Sequence, residues 1–174
     1  MILSSKGWKN MFFICLGIFL GTAFCMKWLE TGFYYNGELF TIIGLEITYS
    51  PGRIMDILHH IGEPVHTSIK AHLYFDFAFM AGAYGGILSL LMMARGRVST
   101  PFQRQLLLFM ALLQLLAWCC DIRENIYLLD WLADKQDIRT SIFTYHLVVL
   151  TKWSIALSGL LLAIPFLLRK TKPE

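Results

Sequence analysis

A chain of 174 residues that is 56% hydrophobic and only 16% charged lies outside the composition of soluble domains, where about 25% of residues are charged. The mean hydropathy of +0.57 points to the bilayer. The net charge of +3 is small and its basic residues cluster at the ends of apolar runs, which suits orientation signals and excludes a nucleic-acid footprint.

Four stretches reach the ~20 residues needed to cross hydrocarbon, at about 10–29, 72–94, 105–131 and 142–168. They predict an all-α membrane protein: a four-transmembrane-helix bundle, one domain over 1–174, with a folded extracytoplasmic loop at 30–71. The first run follows Lys6 and Lys9 in the manner of a signal peptide. It has no small-x-small cleavage site before Lys27 and is long enough to stay as an anchor. It also carries Gly17-x-x-x-Gly21, and the second run carries Gly82-x-x-x-Gly86; both spacings suit close helix packing. Cys15, Cys25, Cys119 and Cys120 lie in apolar segments without a CxxC, which favours buried, inert thiols.

The loop at 30–71 is too long for a plain connection and is expected to fold. Asn36-Gly37 is a turn signal. Leu39 to Thr48 is rich in β-branched and aromatic residues and reads as short strands or an interfacial segment. Ser50-Pro51 supplies an N-cap and a first-turn proline for an amphipathic helix over 51–61, with Ile54, Ile57, Leu58 and Ile61 on one face. His59-His60, His66 and His72 invite a metal reading, but adjacent histidines do not share a helix face and no HxxxH occurs. No metal or cofactor is expected.

The basic residues Lys6, Lys9, Arg95, Arg97, Arg104, Arg169, Lys170 and Lys172 all fall on one side if the N-terminus is cytoplasmic. The positive-inside rule therefore places both termini in the cytoplasm, in an inner membrane. Trp8, Trp28 and Trp131 near helix ends suit interfacial anchors.

Asp121-Ile122-Arg123-Glu124-Asn125 interrupts the third run. A charge inside the bilayer costs a few kcal/mol, so such residues are normally paired and commonly functional. Gln114, Asp121 and Asn125 form one helical stripe with Glu124 beside it. Asp76 and His72 share a face four residues apart, and Tyr145 and Lys152 share another. Asp121, Glu124 and Asp76 are thus the candidate acid–base residues. Lys152, Asn125, Tyr145 and His72 are candidate ligand contacts, with Arg123 turned outward. Three acids around one lysine leave excess negative charge. That suits either a site for a lipid or small amphiphile, with Lys152 holding an anionic head, or a network that fixes helix register. An oligomeric channel or proton-coupled carrier is a third reading, weakened by the lack of an inverted repeat. Membrane lipids are the expected partners, homo-oligomers are compatible, and nucleic acid is not expected.

Tyr74-x-Asp76-x-x-Phe79 with Tyr84, Asp121-x-x-Glu124-Asn125 and Thr151-Lys152-Trp153 resemble the signature blocks of an uncharacterised family of small four-helix bacterial integral membrane proteins. The resemblance implies the bundle and adds Tyr74 to the ligand contacts, without implying a reaction. Four-helix quinone-linked thiol oxidases are similar in topology alone, because their paired loop cysteines are absent. Arg139 and His146 fit the loose Arg…His pattern of HEPN ribonucleases, but at a membrane edge away from cytoplasmic RNA.

Overall fold

The computed structural model describes residues 3–168; the basic residues Arg169, Lys170 and Lys172 lie outside the described residues. The described chain is all-helical apart from one small hairpin, and four of its six helices are long and apolar enough to cross a membrane. These are α1 (Ser5–Glu30), α4 (Glu63–Arg95), α5 (Pro101–Leu132) and α6 (Ile138–Leu168). Between α1 and α4 lie β1 (Tyr34–Tyr35), β2 (Glu38–Leu39), α2 (Ile42–Glu46) and α3 (Pro51–His60).

Each long helix begins before the apolar run that marks it. The 33 residues of α4 extend about 50 Å, well beyond the ~30 Å hydrocarbon core. Its start is set by Pro64 at the first turn and Glu63 near the helix N-terminus, where proline costs no hydrogen bond and a carboxylate meets the helix dipole. The connection between α1 and α4 is therefore 31–62, shorter than the apolar run alone implies. The nine added residues bring Ile69 into the core.

Helix α4 is the hub, packing on α1, α5 and α6. Glycines set two of these contacts. A Cβ at Gly82 would lie 2.6 Å from the Phe19 backbone nitrogen and 2.8 Å from the Cys15 carbonyl, and one at Gly85 would meet Cys15 Sγ. Only a bare backbone allows α1 to seat there. The other motif does not serve packing inside the bundle, because nothing among the described residues approaches within 4 Å of a Cβ at Gly17 or Gly21. On α6, a Cβ at Gly159 would collide with the Gln114 amide. The rest of α1 is largely uncovered, with Phe13, Ile14, Phe24 and Trp28 exposed, as an apolar helix at the bundle edge would be in lipid.

The segment 31–62 caps one end of the bundle. Asn36 and Gly37, both at positive φ, make the two-residue turn between β1 and β2, the geometry that Asn-Gly favours. The Tyr35 hydroxyl donates to Asp56 Oδ2 (2.8 Å) and ties this hairpin to α3. Where the sequence suggests strands around Leu39 to Thr48, the structure has only β2 and then α2. Thr41 caps α2 by accepting the Gly44 N–H, and the helical turn puts Ile42, Leu45 and Glu46 on its buried side. Helix α3 takes its expected start from Ser50 and Pro51 and buries Ile54, Ile57 and Leu58. These meet Phe33, Ile69, Leu128, Trp131 and Tyr145 in the largest hydrophobic cluster. Trp131 is therefore a core residue rather than an interfacial anchor, with its indole N–H on Ser141 Oγ (2.9 Å). Of the cysteines only Cys15 is buried; Cys119 is exposed, and none of the four forms a disulfide.

Candidate functional site

Below the cap, Lys152 of α6 is the centre of the buried charge, itself 5% exposed. Its Nζ donates to Asp121 Oδ1 at 2.8 Å. It also lies 2.6 Å from Glu124 Oε2 and 3.6 Å from Glu46 Oε2. The Glu124 contact is a close ion pair, and that oxygen meets no other polar partner among the described residues. Asp121 is occupied on both sides, since its Oδ2 accepts the Tyr84 hydroxyl at 2.9 Å. Glu46 is steadied by the Trp153 indole N–H at 3.2 Å. Buried charges persist when they are paired and hydrogen-bonded in this way.

The sequence-derived residues separate into distinct environments. Asp121, Lys152, Asp76 and His72 face a common cavity. Glu124, 1% exposed, sits behind the lysine and does not line it. Asn125 is buried and holds two helices together, donating to the Leu73 carbonyl at 3.2 Å and interacting with Asp76. Tyr145 is enclosed by Trp131, Tyr127 and His146 rings, and its hydroxyl is buried without a partner among the described residues. Tyr74 is 65% exposed and lies away from the cavity. Arg123 turns outward, stacked over the Tyr127 ring at 4.2 Å.

Two acids enter the site without having been singled out. Glu46 comes from the cap, where an acid in a connecting segment resembles any solvated residue; its one signal is the apolar run around it. Glu30, the last residue of α1, is buried and joins three elements. It pairs with Lys27 (2.5 Å), lies 3.5 Å from His72 Nε2 and accepts the Ile42 N–H (3.3 Å). The histidines are dispersed. His59 faces Asp134, His60 faces Asp56, and His66 Nε2 meets the Leu132 carbonyl.

The cavity exists because α1 and α6 both pack on α4 without substantial contact with each other. It measures about 310 Å³, within the range of small-molecule sites. Its capped end is polar, made by Glu46, His72, Asp76, Tyr84, Asp121 and Lys152. Its walls beyond are apolar, including Phe19, Phe79, Ala83, Ile87, Leu157 and Leu160. A second apolar cavity, also about 310 Å³, shares Phe19, Ala83, Ile87 and Leu160 with the first and continues past Leu16 to Leu90. Asp76 and Leu90 are separated by roughly 20 Å along α4.

Asp76 differs from the other carboxylates. Among the described residues it makes no ion pair within 4 Å, although it faces the cavity. It is thus the acid best placed to meet a ligand or to exchange a proton.

No family model, curated protein or solved structure matches this chain.

Proposed function

We propose that this is a multi-pass membrane protein that binds a lipid or small amphiphile, head group at the capped end and chain along α4. The single observation that carries this reading is the pair of adjoining cavities that share Phe19, Ala83, Ile87 and Leu160, polar at one end and apolar for the rest of their length. An amphiphile has the same partition, and burying its chain removes apolar surface from competing environments while its head finds hydrogen-bond partners. Asp76 is assigned as the direct head-group contact, with His72 beside it. Lys152 and Asp121 hold the shape of the polar end. An acid–base step at this site would run through Asp76, because Asp121 has both oxygens engaged and Glu124 is sealed from the cavity. We place the protein in an inner membrane with both termini cytoplasmic, so that the cap lies on the extracytoplasmic side, as Arg95, Arg97 and Arg104 around the 96–100 connection and the basic residues near the ends favour.

A second reading, that the charges only fix helix packing, is favoured by the direct Lys152 contacts with Asp121 and Glu124. Filling the cavity separates the two. Ala83 lines both cavities, and Ala83→Phe should occupy the void without touching the charge network. The expected outcome is a protein that melts within a few degrees of wild type in mild detergent and loses a co-purifying amphiphile seen by native mass spectrometry. Equal amphiphile content in wild type and Ala83→Phe would favour the packing reading.

A further inference from the structure

Charge accounting at the polar end narrows the head group. Three carboxylates, Glu46, Asp76 and Asp121, line the cavity with a single lysine. Glu124 stands directly behind that lysine, so Lys152 already answers Glu46, Asp121 and Glu124 at 3.6, 2.8 and 2.6 Å. Its charge is spent, and it offers nothing to a phosphate or carboxylate head. His72 does not reverse the balance, because a proton on its ring would be offset by Glu30, 3.5 Å away. The other cation near this end, Lys27, shares Glu30 with His72, and even with a proton on His72 the three cations Lys27, His72 and Lys152 face five carboxylates, Glu30, Glu46, Asp76, Asp121 and Glu124. An anionic head would therefore meet net negative charge in a region of low dielectric, where like-charge contact is most costly.

A second observation points to a ligand rather than a mere acid cluster. His72 is 3% exposed and lines the cavity, yet its Nδ1 has no hydrogen-bond partner among the described residues. A buried polar atom left open costs free energy unless something fills it. Next to it, Asp76 offers a carboxylate with no ion-pair partner among the described residues. An ammonium in the cavity would donate to the carboxylate, with the neutral imidazole alongside. Phe79 on the cavity wall adds an aromatic ring, a neighbour that a cation favours.

Resting on the amphiphile reading above, we infer that the site selects a long-chain amine, or an amphiphile with a comparable cationic head, over neutral and anionic ones. The chain occupies the α1–α4–α6 cleft and the ammonium sits at Asp76, with His72 alongside.

The test uses the full chain in a non-ionic detergent at neutral pH and three probes of one chain length: tetradecylamine, tetradecanol and tetradecanoate. Binding is read as the concentration dependence of the melting temperature. The amine should bind tightest, the alcohol more weakly, and the carboxylate least. Asp76→Asn should reduce the amine-over-alcohol preference on the order of tenfold, the loss of about one charge-assisted hydrogen bond. If that variant does not accumulate, Glu46→Gln serves in its place and should reduce the same ratio. Equal binding of amine and alcohol, preference for the carboxylate, or an amine preference that survives these substitutions would overturn the head-group assignment while leaving the cavity reading standing. No binding of any probe would overturn both.

Discussion

Lys152 is the residue on which the buried network depends. Removing it leaves Asp121, Glu124 and Glu46 facing one another without a cation. Lys152→Met should therefore destabilise the protein by about 3–5 kcal/mol, the cost of stranding buried charge. Glu124→Gln in the same chain should restore part of the loss, since Glu124 is the most enclosed of the three. Thermal unfolding of the four proteins in the cycle measures this; additive losses would mean that Lys152 and Glu124 are uncoupled. The partners of Lys152 were only partly legible in the sequence. Asp121 and Glu124 stand out because they interrupt an apolar run, and helical spacing brings them to the face opposite Lys152. Glu46 and Glu30 do not stand out, because acids near a connecting segment ordinarily face water. Only the fold turns them inward.

At the scale of elements, apolar length was sufficient to find the four long helices, and Ser50-Pro51 sufficed for α3. It could not give α2. Five residues containing three isoleucines and leucines read equally well as a strand, and the Thr41 cap and burial against the bundle decided for helix. The glycine motifs show the same limit from the other side. Spacing identifies Gly17/Gly21 and Gly82/Gly86 alike, but which face meets a neighbour is a tertiary fact. The two sites should respond differently to a single methyl group. Gly82→Ala should force the α1 and α4 backbones apart and lower the melting temperature by several degrees, consistent with a loss of roughly 1–3 kcal/mol from overpacking. Gly17→Ala should be neutral or stabilising by up to ~1 kcal/mol, because alanine favours the helix and nothing opposes its Cβ. Equal losses at both positions would contradict the packing described for α1.

For the whole molecule, antiparallel connection puts the hairpin, α2 and α3 at the same end as the polar part of the cavity. At the other end, Arg97 in the connection after α4 bonds the Leu167 carbonyl near the end of α6, closing the bundle opposite the cap. The proposed orientation of this arrangement rests on basic residues: Lys6, Lys9, Arg95, Arg97 and Arg104 mark the end away from the cap. A reporter fused after Arg97 should read cytoplasmic, and one inserted near Asn36 should read external. The reverse pattern would invert the side from which a ligand reaches the cavity. The cavity was not legible in the sequence, since it arises where α1 and α6 fail to meet in front of α4. The sequence could indicate polar residues at similar depth, but not whether they enclose a space.

Photo-crosslinking in membranes tests that cavity most directly. A long-chain amphiphile carrying a diazirine near the end of its chain can be activated in vesicles containing the protein, and the labelled residues located by peptide mass spectrometry. Saturable labelling concentrated at Phe19, Ala83, Ile87, Leu157 and Leu160, and abolished by Ala83→Phe, is the expected result. Labelling spread over outward-facing side chains such as Phe13, Phe24, Phe109 and Leu161, unsaturable and unchanged by Ala83→Phe, would contradict an amphiphile bound within the fold.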